Sequence, residues 1–84
     1  MKLTYDPRHN IAYIRLHPKA AQVRTVHVSD ELNVDLAPDG TVYGIELLNA
    51  NAQLTQEDGG QFVLLNEATG EQTKVKLPLP PASH

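Results

Sequence analysis

Two acidic side chains and a neighbouring amide are the residues whose types could do chemistry here. Asp35, Glu46 and Asn33 lie in the stretch NVDLAPDGTVYGIELL, residues 33–48, where two apolar-patterned runs flank a turn sequence. Paired carboxylates can bind a metal ion or a small ligand, and they can do acid/base work if a pocket shifts one pKa. An open face of a small sheet rarely supplies such a pocket. We therefore predict a solvated sheet face, with ligand binding as the functional alternative, and no enzyme activity.

The loop at residues 37–40, Ala-Pro-Asp-Gly, decides whether the two carboxylates share a face. A three-residue loop over 38–40, with a bulge at the glycine, places Asp35 and Glu46 on opposite faces. A four-residue loop aligns the apolar residues instead: Leu32 with Ile45, Val34 with Tyr43, and Leu36 with Thr41. It collects Asn33, Asp35, Gly44 and Glu46 on the other face. Turn chemistry favours the first register and the apolar pattern favours the second, which we predict. A bulge within a strand would satisfy both.

Short runs of β-branched and aromatic residues, separated by turn residues, organise the rest of the chain. They predict a mainly β fold, with α+β as the alternative: an antiparallel sheet of hairpins with about five to seven strands. Asn49 could cap a single helical turn, so we expect at most one short helix within residues 49–57. Gly70 stands where a hairpin turn needs a positive φ. The predicted strands are 2–5, 11–16, 22–28, 32–36, 41–48, 61–65 and 71–77.

Residues 3–50 carry a spaced set of motifs that resembles a known family. The motifs are Tyr5-Asp6-Pro7, Asn10, Tyr13-Ile14-Arg15-Leu16, Asn33-Val34-Asp35, Asp39-Gly40 and Gly44-Ile45-Glu46-Leu47-Leu48-Asn49-Ala50. They are similar to the pattern of a small bacterial and archaeal family, domain of unknown function 2283 (DUF2283). The chain departs from that pattern at Asn10, where the family usually has an acid. The resemblance implies a compact β-rich module without an established activity. Members of this family are often encoded beside small proteins that resemble ribonuclease-type toxins. The resemblance therefore also implies an antitoxin-like or partner-binding role.

The length of 84 residues predicts one small domain, over residues 1–77. Residues 3–50 form its family-like core, and 61–77 form an added hairpin. The tail, residues 78–84, has three prolines, so we expect it to lie outside any regular ladder of hydrogen bonds.

Composition argues against several classes of function. A net charge of −3 gives no general attraction to nucleic acid or to anionic lipid. The four histidines lack the close spacing of metal ligands, so no metal site and no cofactor are predicted. The chain has no cysteine and no apolar segment long enough for a signal peptide or a membrane span. These features predict a cytoplasmic protein.

Apolar residues that one small sheet could not bury predict association with another protein. The run Phe62-Val63-Leu64-Leu65 presents apolar side chains to both faces of its strand, and Leu47-Leu48 poses the same problem. A homodimer would cover them, and so would a heterologous partner, such as a toxin-like protein. We therefore predict a non-enzymatic protein-interaction module. The alternative is a metal- or small-ligand-binding protein that uses Asn33, Asp35 and Glu46.

Overall fold

A computed structural model describes residues 1–18, 22–57 and 59–78. The chain forms two compact units, Met1–Ala50 and Asn51–His84. The predicted tail lies outside the described residues except for Pro78. Within the described ranges, no helix is both long and apolar enough to cross a lipid bilayer.

Within the residues that the structure describes, seven strands and one short helix confirm the predicted mainly β fold. The elements are β1 (Lys2–Asp6), β2 (Ile11–Arg15), β3 (Arg24–Ser29), β4 (Leu32–Leu36), β5 (Val42–Leu48), α1 (Ala50–Leu54), β6 (Gln61–Leu65) and β7 (Gln72–Lys76). The first five strands make an antiparallel sheet in the order β1-β2-β5-β4-β3. Strand β5 is central, and β1 and β3 form the edges. Strands β6 and β7 make a separate two-stranded antiparallel sheet, hereafter the hairpin.

The five-stranded sheet has one apolar face and one polar face, because paired antiparallel residues project to the same side. The rows Leu3–Ile14–Ile45–Val34–Val26 and Tyr5–Ala12–Leu47–Leu32 run across the apolar face. Among the described residues, the only buried apolar side chains are those of Ala12 and Ala50, and no large side chain is fully buried. Leu3, on the edge strand, is 39% exposed. The apolar face is therefore shielded only in part.

The hairpin of β4 and β5 combines features of both predicted registers. At the turn, the Ala37 amide donates to the Thr41 carbonyl (2.8 Å) and the Gly40 amide donates to the Ala37 carbonyl (2.9 Å). Gly40 has φ 89°, as a three-residue loop with a glycine bulge requires. Leu36 pairs with Val42, but the next pair is Asp35 with Gly44, so Tyr43 is an extra, bulged residue.

Because of this bulge, the observed register differs from both predicted registers. Beyond it, Asn33 pairs with Glu46 and Asp35 pairs with Gly44. The shared face of the second register is confirmed, but its individual apolar pairs are wrong, since Val34 lies opposite Ile45. The loop of the first register is confirmed, but its placement of the carboxylates on opposite faces is wrong. A bulge relieves the conflict because it adds one residue to β5 without altering the turn.

Polar side chains fix two turns of the five-stranded sheet. In the β1–β2 turn, Asp6 accepts a hydrogen bond from the Arg8 amide (2.9 Å) and lies 2.8 Å from His9 Nδ1. The His9 bond lowers the pKa of the Asp6 carboxyl, and the Arg8 amide adds to this effect. In the β4–β5 turn, Asp39 Oδ1 accepts from the amide (3.0 Å) and the hydroxyl (2.7 Å) of Thr41. These two bonds, the amide first, lower the pKa of Asp39.

The end of β5 is tied to the β1–β2 turn. Asn10 and Asn49 both have left-handed backbones, with φ of 57° and 52°. Asn10 Nδ2 donates to Asn49 Oδ1 (3.2 Å), and the Ala50 amide donates to the Asn10 carbonyl (2.9 Å). Asn49 Nδ2 donates to Glu31 Oε2 (3.3 Å). Asn49 thus precedes the predicted helical turn. Its side-chain amide links the end of β5 to the β1–β2 turn and to the β3–β4 turn.

Candidate functional site

The polar face is built by four neighbouring strands. Two rows of paired residues cross it, one through Asp35 and one through Asn33. The first row is Arg15–Gly44–Asp35–Thr25, and the second is Tyr13–Glu46–Asn33–His27. All three site residues predicted from sequence therefore lie side by side on one surface.

Asp35 is the centre of the first row. Its Oδ2 accepts a hydrogen bond from the Tyr13 hydroxyl (2.7 Å), and its Oδ1 accepts one from the Thr25 hydroxyl (2.6 Å). Thr25 is the direct cross-strand partner of Asp35 on β3, whereas Tyr13 reaches over from β2, two strands away. Hydrogen bonds to an ionised carboxylate are stronger than those between neutral groups. Both oxygens of Asp35 are thus engaged within the sheet.

Gly44 makes the reach of Tyr13 possible. It is buried in the central strand β5, between β2 and β4. A Cβ at this position would lie less than 3.0 Å from three atoms at the end of the Tyr13 side chain. The aromatic ring therefore crosses directly over Gly44 to reach Asp35. A glycine inside a strand often marks such a close approach.

Tyr13 acts in this site as a protonated donor. Partial burial of the hydroxyl, followed by its hydrogen bond to Asp35, raises the pKa of Tyr13 well above its ordinary value of 10.0. Burial disfavours the phenolate, and a neighbouring carboxylate repels it. A general acid or base at neutral pH needs a pKa near the working pH. The pair therefore binds strands together and is poorly suited to transfer protons.

The second row joins a carboxylate, an amide and an imidazole. Asn33 Nδ2 donates to Glu46 Oε1 (2.9 Å), and Asn33 Oδ1 lies 2.9 Å from His27 Nδ1. His27 is exposed, and its Nε2 lies 4.0 Å from Asp30 Oδ1. Asn33 and Glu46 are half-buried. The amide of Asn33 thus bridges β5 and β3 across β4.

Sequence reasoning selected Asn33, Asp35 and Glu46 but did not select their partners Tyr13 and Thr25 for the site. The structure brings Asn33 and Glu46 into direct contact, while Asp35 bonds to Tyr13 and Thr25. The one sequence signal that could have revealed Tyr13 is Gly44, because a glycine within a strong strand pattern indicates that a bulky group crosses the backbone there.

Metal binding finds little support at this face. Among the described residues, no group of three or more His, Cys, Asp or Glu side chains could hold a metal ion. Hard cations take several oxygen ligands, whereas both oxygens of Asp35 already accept hydrogen bonds. The arrangement can align four strands, and it holds a half-buried carboxylate on each of β4 and β5.

The residues predicted for an interface fall in two places. Leu47 lies on the apolar face of the five-stranded sheet, and Leu48 lies on the other face opposite Ile11; both are half-buried. In the hairpin, Phe62 and Leu64 share one face, and Val63 and Leu65 share the other. All four hairpin residues are exposed, from 38% at Val63 to 62% at Leu64.

Comparison with known proteins gives a family and no function. A family model described as protein of unknown function, DUF2283, matches residues 2–51, which is more than half of the chain. The chain belongs to the DUF2283 family. No curated protein and no solved structure matches it.

The DUF2283 segment and the hairpin are separate parts of the chain. The matched residues contain all five strands of the first sheet, and with them the whole polar face. Strands β6 and β7 follow the match. The family match therefore covers the hydrogen-bonded polar face, and the exposed apolar hairpin lies outside the matched residues.

Proposed function

We propose that this DUF2283 protein is a non-enzymatic protein-interaction module that functions as a cytoplasmic homodimer, with the hairpin as its interaction surface. The DUF2283 sheet serves as the scaffold. The hairpin contributes the apolar side chains that associate.

The exposure of the hairpin is the observation that carries this proposal. All ten residues of β6 and β7 are exposed, and they include Phe62 (46%), Leu64 (62%) and Val75 (50%). These three side chains project from one face, where the register places Val75 opposite Phe62. Exposed clusters of large apolar residues mark interaction sites. A two-stranded hairpin is at best marginally stable in water, so it needs a further surface against which to pack.

The polar face supports the non-enzymatic part of the proposal. Asp35 and Glu46 each accept a hydrogen bond from a neighbouring strand, and Tyr13 holds its proton at neutral pH. Groups that are engaged in this way align the sheet. An acid/base catalyst instead needs a group that is accessible to substrate and titrates near neutrality.

The test compares a lysine substitution on each of the two faces of the hairpin. Leu64→Lys puts a charge among the apolar residues of one hairpin face, whereas Gln72→Lys puts the same charge on β7, on the face that already carries Lys74 and Lys76. Light scattering coupled to size-exclusion chromatography gives the molar mass of each protein over a range of concentrations. We expect a dimer for the wild type, and a dissociation constant for Leu64→Lys raised at least about tenfold, or 1.4 kcal/mol.

Gln72→Lys is the matched control and should stay near the wild-type dissociation constant. A wild-type protein that is a clean monomer at all concentrations would overturn the homodimer. Purification from the native host would then be the way to look for a heterologous, toxin-like partner, as an antitoxin-like role would require. Equal weakening by the two substitutions would contradict the assignment of the Phe62–Leu64 face.

A further inference from the structure

The hairpin has one unprotected backbone edge. In β6–β7, the Leu77 amide donates to the Gly60 carbonyl (3.0 Å) and the Asn66 amide donates to the Glu71 carbonyl (2.8 Å). Bonded and non-bonded pairs alternate along an antiparallel ladder. Phe62 and Leu64 are therefore bonded to their partners on β7, by the observed register. The backbone N–H and C=O groups of Gln61, Val63 and Leu65 point away from β7.

Strand β6 contains no residue of a type that hinders pairing with another strand. The segment Gln61–Leu65 has no charged residue, no proline and no glycine. Among the residues that the structure describes, no strand pairs with the outer edge of β6. Charged side chains, prolines and bulges are the usual protection of an edge strand. Strand β6 has none of the three.

The other edge strands in the described part of the chain, β1, β3 and β7, carry such protection. Strand β7 carries Lys74 and Lys76. Strand β1 begins with Lys2 and ends with Asp6. Strand β3 begins with Arg24, and a bulge interrupts its pairing with β4 between His27 and Ser29. The contrast singles out β6 as the edge that is free to pair.

We propose that β6 pairs antiparallel with β6 of a second copy of this chain, which makes a continuous four-stranded sheet in the order β7-β6-β6-β7. This inference rests on the proposed homodimer and specifies how it forms. A two-fold axis gives both copies the same set of outward backbone groups. All three outward residues find partners in one register: Val63 opposite Val63 of the partner subunit, and Gln61 opposite Leu65 of the partner subunit.

A second copy fits the edge better than a different protein does. The hairpin is too small to be stable by itself, so the molecule that pairs with the edge of β6 must be present whenever the chain folds. A second copy is always present. It brings an equally uncharged strand, and it places Phe62 opposite Leu64 of the partner subunit on the apolar face. Cross-strand pairs of aromatic and aliphatic side chains stabilise sheets.

Single cysteines test the register directly, because the natural chain contains none. In the proposed pairing, the Cα atoms of the two Val63 residues lie about 5.5 Å apart, within the range of a disulfide. The two Leu64 residues lie roughly 8 Å apart, which is too far. We expect Val63→Cys to form disulfide-linked dimers about tenfold faster than the matched control Leu64→Cys, under mild oxidation at equal concentration.

Hydrogen exchange gives a second readout that needs no substitution. The amides of Gln61, Val63 and Leu65 should exchange slowly in the dimer and quickly after dilution below its dissociation constant. The amides of Phe62 and Leu64, which bond to β7, should change less.

The outcomes separate this inference from the proposal on which it rests. If light scattering shows a dimer, but Val63→Cys links no faster than Leu64→Cys and the three amides exchange quickly, edge pairing is overturned and the homodimer stands. If light scattering shows only monomer, both are overturned, even if a different protein is later found on the hairpin. Fast linkage at Val63 together with protected amides supports the pairing.

Discussion

Tyr13 and Gly44 depend on each other at the scale of single residues. The Tyr13 ring occupies the space that any larger side chain at position 44 would need, and its hydroxyl bonds to Asp35 (2.7 Å). Either the ring moves and this bond is lost, or the sheet distorts. The residue at position 44 is therefore set by an aromatic side chain on the neighbouring strand.

We predict that Gly44→Ala lowers the free energy of unfolding by about 1–3 kcal/mol, the usual cost of overpacking. Denaturant titration at a fixed protein concentration measures the change. In the background of Tyr13→Leu the cost should vanish or reverse, because alanine is otherwise more favourable than glycine in a strand. A cost that persists without the aromatic ring would show that something other than Tyr13 excludes the methyl group.

The raised pKa of Tyr13 predicts a dependence of stability on pH. The folded-state pKa lies above the ordinary value of 10.0, so the unfolded chain loses this proton first as pH rises. The contribution of Tyr13 to stability is therefore fully present below pH 10 and declines as pH rises toward the folded-state pKa. We expect the gap in unfolding free energy between the wild type and Tyr13→Phe to shrink over that alkaline range.

Ultraviolet absorbance of tyrosinate checks the same point independently. The difference between the titration curves of the wild type and Tyr13→Phe isolates this one hydroxyl. It should ionise above pH 10, and in Asp35→Asn it should ionise at lower pH, because one cause of the shift is removed. A Tyr13 that titrates as a free phenol would contradict the hydrogen bond to Asp35.

At the scale of elements, the β4–β5 turn depends on the backbone freedom of Gly40. Its φ of 89° is strained for other residues, and no atom lies within 4 Å of the place that a Cβ would occupy, so backbone conformation is the whole cost of a substitution. We predict that Gly40→Ala destabilises the protein by about 1–2 kcal/mol. Gly40→Asn should cost less, since asparagine tolerates positive φ better. Equal costs in thermal or chemical denaturation would contradict this explanation.

Local signals predicted the elements well, because the turns obey local rules. The positive φ of Gly70 (78°) and of Gly40 follows from turn geometry, which a few adjacent residues determine. The alternation of apolar residues located the strands to within one or two positions. The bulge at Tyr43 was foreseen only in general terms, since its position depends on how β4 and β5 fit together across the sheet.

The sequence did not predict that Tyr13 and Thr25 belong to the candidate site, and the reason is different. Both bond to Asp35 across strands, and Tyr13 can do so only because β2 lies beside β5 in the order β1-β2-β5-β4-β3. That order places a strand from early in the chain next to the fifth strand. Sequence patterns specify which side of a strand is apolar, but they do not specify which distant strand lies beside it.

At the scale of the whole molecule, stability should depend on protein concentration. No large side chain among the described residues is fully buried. A subunit that packs on a second copy stabilises the folded state by mass action. We predict that the Tm rises steadily when the concentration is raised about a hundredfold, as for a folded dimer that unfolds to separate chains. Differential scanning calorimetry at several concentrations is the measurement.

Leu64→Lys provides the comparison for this prediction. Its Tm should be lower than that of the wild type at high concentration, and the two should converge on dilution as both proteins become monomeric. A wild-type Tm that is independent of concentration would count against association as a source of stability.

The bulged residue in β5 has a consequence for how the gene can change length. Removal of the codon for Tyr43 would leave an ordinary three-residue hairpin in which Asp35 still faces Gly44 and Asn33 still faces Glu46. Removal of one codon from the Ile45–Leu48 segment would instead turn residues onto the opposite side. These are the residues beyond the deletion if the bulge stays at Tyr43, and the residues between Tyr43 and the deletion if the bulge disappears. Chemical shifts of the Tyr13 ring would distinguish two such deletion variants. The polar surface is therefore kept after deletion of Tyr43, and it is altered by deletion of a residue further along β5.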